Sequence, residues 1–237
     1  MNPANNSKLV VISGGSKGIG RALVDKFYNA GFTIATCSRN INELESLKSE
    51  LDLEKRLHIF QADLANKSDV CAFADYVLSL NLPIQVLINN AGKFLPGEVH
   101  LEEEGVLESQ IETNLYSAYY LTRHLIENIK SQKSSHIFNV CSIASLIAYA
   151  NGGSYTISKF ALYGFSKALR EEMKNHHVKV TSVLPGATLT SSWDGVDIPE
   201  ERFIPAEDVA ALMFNCFEVS DRTVVEDLLI RPQLGDI

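Results

Sequence analysis

The sequence predicts an α/β fold, a single doubly wound parallel sheet of about seven strands with helices packed on both faces. Three observations predict it. Apolar runs of strand length alternate along the whole chain with amphipathic stretches of helical length. The runs are continuously apolar, as strands covered on both faces must be. The first run ends in a glycine-rich turn, Ser13-Gly14-Gly15-Ser16-Lys17-Gly18-Ile19-Gly20, that opens directly into an amphipathic stretch.

Strands are expected at 9–13, 33–37, 57–61, 84–89, 136–141, 179–184 and 224–230. Helices are expected at 18–30, 41–51, 67–80, 101–130 (as two helices), 153–175 and 206–219. In the first helix Ile19, Leu23, Phe27 and Ala30 share one side, and the spacing of Phe160, Leu162, Phe165, Leu169 and Met173 suits a long helix after Gly153. Strands joined by helices put a ligand at the carboxyl ends of the strands. The one long stretch without periodicity, 186–205, holds Trp193, two prolines and several acids. A loop that long in a compact domain is expected to contact substrate.

At 237 residues with 46% apolar content, the chain can bury one large core, so residues 1–237 are read as one domain. A net charge of −8 argues against general affinity for nucleic acid or an anionic membrane. The four cysteines are scattered without metal or redox spacing, which suits a reduced, cytoplasmic setting. The first seven residues are polar, and no stretch reads as a leader or a membrane span. His176-His177 lacks a nearby acid cluster, so no metal site is expected. Cys141 is read as core, and the runs Glu102-Glu103-Glu104 and Glu171-Glu172 as helix-surface charge.

Glycines at the first strand-to-helix turn let the backbone approach a pyrophosphate, whose charge faces the helix amino terminus. Gly14, Ser16, Lys17, Gly18, Ile19 and Gly20 form this turn. A nucleoside triphosphate loop fits poorly, since Lys17 is followed by glycine. After the second strand comes Cys37-Ser38-Arg39-Asn40, with no acid to take ribose hydroxyls until Glu43. Arg39 can fork onto a 2′-phosphate while Lys17 adds a second positive charge, so the expected cofactor is NADP(H).

Tyr155 and Lys159 stand four apart in the predicted long helix, which stacks phenol and ammonium on one face. A phenol titrates near 10, and bringing it to about 7 takes roughly 4 kcal/mol. A cation about 4 Å away at an effective dielectric of about 20 supplies that amount. The pair is therefore expected to act as an acid/base group near neutrality. Ser142, at the end of the run Ile137-Phe138-Asn139-Val140-Cys141, brings a hydroxyl to the carboxyl edge of the sheet.

In this order these pieces resemble the short-chain dehydrogenase/reductase family over the whole chain. The resemblance rests on Gly14-x-x-x-Gly18-x-Gly20, Ala62-Asp63-Leu64, Asn89-Asn90-Ala91-Gly92, Asn114, Ser142, Tyr155-x-x-x-Lys159 and Pro185-Gly186 with Thr190. It implies a Rossmann-type sheet in which Asp63 and Leu64 lie near the adenine. It also places Asn90, Ala91 and Gly92 along the cofactor and has Pro185, Gly186, Thr188 and Thr190 frame the nicotinamide. It implies further that Ser142 bonds a substrate carbonyl oxygen, that Tyr155 protonates it, and that Lys159 primes the phenol and holds the nicotinamide ribose. Asn114 would position a water linking Lys159 to solvent. Such chains often pair into homodimers or homotetramers through two long helices, here 115–130 and 153–175.

The ending Arg222 to Pro232, with Pro185-Gly186-Ala187-Thr188 and the segment Trp193 to Asp197, is similar to bacterial sepiapterin reductases and related small carbonyl reductases. A pterin wants an aromatic slab and a carboxylate opposite its amino-amide edge. Trp193, Phe94, Tyr149 and Phe203 are candidates for the slab, and Asp194 or Asp197 for the acid. The expectation is an NADPH-dependent carbonyl reductase acting on a pterin side-chain ketone or a small dicarbonyl. The alternatives are a 3-oxoacyl reductase, a hydroxy-acid or hydroxysteroid dehydrogenase, or an NADP-binding regulator without turnover.

Overall fold

A computed structural model describes residues 7–52, 55–193 and 195–237; most of the polar amino terminus and Asp194 lie outside the described residues. The strands are β1 (Leu9–Ser13), β2 (Thr33–Ser38), β3 (Leu57–Gln61), β4 (Ile84–Asn89), β5 (Ser135–Val140), β6 (Val178–Pro185) and β7 (Asp227–Ile230). The helices are α1 (Gly18–Asn29), α2 (Ile41–Leu51), α3 (Lys67–Ser79), α4 (Val106–Ile111), α5 (Ser117–Lys130), α6 (Gly153–Met173) and α7 (Ala206–Glu218). All seven strands run parallel in the order β3-β2-β1-β4-β5-β6-β7.

Continuous apolar strands have a direct structural reason. In β1, Val10 and Ile12 face one core while Leu9 and Val11 face the other. The first core takes Leu23 and Phe27 of α1, Leu44 and Leu47 of α2, and Val209 and Met213 of α7. The second takes Phe73 and Val77 of α3, Leu125 and Ile129 of α5, and Leu169 and Met173 of α6. A fully buried aliphatic or aromatic side chain contributes about 1.5–3 kcal/mol, so each face is held by its own layer of helices.

Two expected boundaries move by more than two residues. The seventh strand starts at Asp227 rather than Val224, because the carbonyl of Val225 accepts from the Thr181 hydroxyl and the ladder to β6 begins only at Asp227. The stretch 101–105 is not helical. Gly105, at φ +90°, is the turn from which α4 starts, and α4 runs through a π-helical turn (Glu112–Tyr116) straight into α5. The expected pair of helices is thus one rod with a π insertion. The loop 186–205 forms two short 3₁₀ turns, Ser191–Trp193 and Glu200–Arg202, and is pinned by a bridge between Thr188 and Ile204. Among the described residues, no helix is long and apolar enough to cross a membrane.

The strand order reverses at β1 and β4, which lie side by side while their following turns diverge. That leaves a crevice at the carboxyl ends of the strands.

Candidate active site

A cleft of about 1030 Å³ opens along this carboxyl edge. One end is built by the turn after β1. There the would-be Cβ of Gly20 lies 2.0 Å from the Gly14 carbonyl oxygen and 2.6 Å from Asn90 Nδ2, so any side chain would force the turn apart. Asn90 closes the turn by donating to the carbonyls of Ser13 and Gly14, each at 3.0 Å. Ser13 Oγ in turn accepts from the amides of Asn90 and Ala91.

Lys17, Ser38, Arg39 and Glu43 gather at this end. Lys17 Nζ lies 2.9 Å from Glu43 Oε1, and Ser16 Oγ donates to Ser38 Oγ at 3.2 Å. The ion pair holds the Glu43 carboxyl below its ordinary range. Ile19, Asp63, Leu64 and Ala91 line the middle, and Pro185, Gly186, Thr188 and Thr190 line the far end. Gly18 leaves room for Thr190, whose Cγ2 would lie 2.8 Å from a Cβ there.

At the far end stand Ser142, Tyr155 and Lys159. Ser142 follows β5, its extended backbone starts a 3₁₀ turn, and its hydroxyl accepts from the Ala144 amide. Phe94 meets the Tyr155 ring edge-on at 4.9 Å. Burial raises the Tyr155 phenol above its ordinary value, and hydrogen bonding with Ser142 works against that rise. Burial lowers Lys159 to about 8.

Tyr155 and Lys159 share this end of the cleft, and the ammonium takes a main-chain acceptor. Lys159 Nζ lies 5.8 Å from the Tyr155 ring centroid and donates to the Val140 carbonyl at 2.9 Å. A buried ammonium needs an acceptor, and the end of β5 supplies one. Cys141 beside it is buried, with its thiol pushed up to about 12, and belongs to the core.

Asn114 sits in the π-helical turn, fully buried behind the cleft. Its Oδ1 accepts from the Lys93 amide at 2.7 Å, and its Nδ2 donates to the Lys93 carbonyl at 3.0 Å and to Ser158 Oγ at 2.8 Å. Asn114 and Lys159 converge on Gly92, whose would-be Cβ lies 3.2 Å from Asn114 Oδ1 and 3.4 Å from Lys159 Nζ.

Trp193, Tyr149 and Phe94 also line the cleft, while Phe203 packs against Trp193 at 5.1 Å and stays outside the cleft wall. Asp197 is exposed and does not line the cleft, so it is not the acid of this pocket, and Asp194 lies outside the described residues. An acid that does line the cleft is Asp236, paired with Arg231 Nε at 3.2 Å. An apolar rim of Ile143, Leu146 and Ile147, with Ile147 62% exposed, completes the mouth. Sequence reasoning missed Asp236, Arg231 and this rim because no local pattern ties them to a site. Nor did it find Ser158, although its position one residue before Lys159 was a signal. The run 102–104 is also corrected: Glu102 bonds the start of α6 instead of facing solvent from a helix.

The glycine turn, the long cleft and the cations Lys17 and Arg39 at its end fit a dinucleotide carrying a 2′-phosphate.

A family model described as short chain dehydrogenase matches residues 8–200. A sepiapterin reductase of Chlorobaculum tepidum is 31% identical over 97% of this chain and 98% of its own. The 3beta-hydroxysteroid dehydrogenase 2 of Eggerthella lenta is 30% identical over 85% of this chain and 78% of its own. Among solved structures, a metagenomic short-chain oxidoreductase in complex with NADP aligns with a TM-score of 0.84 at 27% identity, covering 98% of this chain and 100% of that one.

Proposed function

The chain belongs to the short-chain dehydrogenase family, and from that premise we propose that it is an NADPH-dependent reductase that converts a ketone to an alcohol. What carries the reading is the convergence of Ser142, Tyr155 and Lys159 at one end of a cleft whose other end carries Lys17 and Arg39. Bound NADPH supplies the hydride. Ser142 donates a hydrogen bond to the carbonyl oxygen, Tyr155 gives that oxygen its proton, and Asn114 holds the chain of contacts behind Lys159.

In this reading Lys159 leaves the Val140 carbonyl when the ribose hydroxyls offer better acceptors, and its charge then reaches the phenol. Arg39 and Lys17 hold the 2′-phosphate, and Asp63 the adenine side.

The substrate belongs to the same proposal: a flat pterin ketone or a small dicarbonyl, stacked on Trp193 with Asp236 opposite its polar edge. The Chlorobaculum relative supports it by its name. A second reading, a bulky apolar ketone of the hydroxysteroid kind, draws support from the exposed rim Leu146 and Ile147. Pairing of subunits through α5 and α6 completes the proposal; Ile157 and Phe160 of α6 are 41% and 44% exposed. A light-scattering mass equal to one chain would refute that last part.

The decisive test is NADPH oxidation with sepiapterin, diacetyl, a 3-oxosteroid and a 3-oxoacyl thioester, each with the parent and Tyr155→Phe. Loss of the proton donor is expected to cost about 10²- to 10⁴-fold in kcat. Undiminished turnover by Tyr155→Phe would refute the acid assignment, and turnover of none of the four would refute the substrate classes.

A further inference from the structure

The segment from Lys93 to Gly105 joins β4 to α4 and is fastened to its surroundings at four points. Lys93 is held by Asn114, and Leu95 exchanges bonds of 3.4 and 3.3 Å with the side chain of Gln110. Gly97 donates to the Asn151 carbonyl at 3.0 Å and bridges to Gly152. The last fastening is a side chain. Glu102 Oε1 accepts from the Ser154 amide at 2.8 Å, and Oε2 accepts from the Ser154 hydroxyl.

The space for this carboxylate is cut by two glycines. A Cβ on Gly153 would stand 2.1 Å from Glu102 Oε1, and one on Gly97 would stand 2.8 Å from Glu102 Cγ. Gly153 also holds φ +32°, which other residues rarely adopt. Ser154 is only 1% exposed, so its amide and hydroxyl have no easy access to water in place of the carboxylate. Helix amino termini leave such amides without partners inside the helix, and a carboxylate there also complements the helix dipole.

The next residue is Tyr155. We infer that Glu102 is a positioning residue for Tyr155, fixing the first turn of α6 and locking it to the segment that carries Phe94. One carboxylate thus sets where the phenol points and where its aromatic neighbour stands. The effect is local: α6 spans 21 residues and is anchored by Leu162, Leu169 and Met173, so it keeps its fold without this cap. The inference rests on Tyr155 being the proton donor.

The test compares Glu102→Ala, Glu102→Gln, Gly153→Ala and the neighbouring control Glu103→Ala with the parent. Amide exchange at Ser154 and NADPH Kd are measured for all, together with kcat on sepiapterin or diacetyl. Glu102→Ala and Gly153→Ala are expected to speed Ser154 exchange at least about tenfold. They should lower kcat by about 10- to 100-fold, as a misplaced reacting group does. NADPH Kd should stay within about twofold, since no phosphate contact is touched. Glu102→Gln keeps an oxygen acceptor and should recover most of kcat, and Glu103→Ala should match the parent.

Unchanged Ser154 exchange in Glu102→Ala overturns the inference, as does a kcat within twofold of the parent. Tyr155→Phe run alongside separates the two levels. If it stays active the acid assignment fails, and if it is inactive while Glu102→Ala is not, only the role of Glu102 fails.

Discussion

Lys159 donates its buried ammonium to the main-chain oxygen of Val140 at 2.9 Å. With burial holding its pKa to about 8, this cation loses its charge within the range where enzymes are readily assayed. The charged form exists below that value and vanishes as pH rises through it. NADPH Kd is therefore expected to rise severalfold between about pH 7 and pH 9.5, and Lys159→Met should bind weakly throughout with a flat profile. Fluorescence titration of NADPH measures both. A parent Kd that stays level over that range would show that the ammonium does not serve the nucleotide.

The contact between Lys17 and Glu43 sets the second prediction. A 2′-phosphate held by Lys17, as proposed, would share it with a carboxylate 2.9 Å away that also accepts from Asn40 Nδ2. Glu43→Gln is expected to tighten NADPH by about 1.5- to fivefold and to leave NADH unchanged, the scale of an exposed ion pair. Arg39→Asp should weaken NADPH at least about tenfold. Preference of the parent for NADH would contradict the phosphate-clamp reading outright.

Trp193 and Asp236 both line the cleft. Trp193→Ala and Asp236→Asn are each expected to weaken sepiapterin binding by about tenfold, from loss of a stacking surface or a charge-assisted bond. NADPH affinity should hold within about twofold. Equilibrium titration with sepiapterin in the presence of NADP⁺ reads this, and an unaltered Kd in both variants would remove the pterin from consideration.

His136 predicts acid sensitivity. It is 1% exposed, stacks on Phe138 at 3.8 Å, and burial, aided by the Lys179 charge, lowers it to about 3. Unfolding frees it to take a proton at its ordinary value near 6.5. Below that value the unfolded chain binds the extra proton, so stability is complete above about pH 6.5 and falls by about 1.4 kcal/mol per unit toward pH 3. Urea midpoints for the parent and His136→Gln at pH 7 and pH 5 should show a smaller loss in the variant. Equal losses would assign the acid slope to other groups.

Much of the fold is legible in the sequence because β1, β2, β4, β5 and β6 are buried almost throughout on both faces, which leaves apolar runs without strict alternation. β7 differs. It is an edge strand whose exposure alternates, so Val224 and Val225 look like strand yet stand outside the ladder. The glycine turn and the gathering of Ser142, Tyr155 and Lys159 in one cleft are legible because each follows a strand end or a helix spacing that the sequence displays. What stays hidden is long-range or main-chain. Glu102 reaches Ser154 across 52 positions, so it looks like one acid in a run of three. Lys159 finds a backbone carbonyl, which carries no residue signature. Asp236 returns to the cleft only because β7 lies beside β6.

The strand order has a consequence for how the chain is made. β1 is flanked by β2 and β4, and β4 begins about 70 residues after β1 ends. At roughly 5–20 residues per second on the ribosome, that flank waits about 4 to 14 seconds for its neighbour. Throughout that interval one side of an apolar strand has unpaired amides and carbonyls, the kind of surface that templates association between nascent chains. The same adjacency that opens the crevice in the finished molecule therefore leaves the half-made one with an edge to protect.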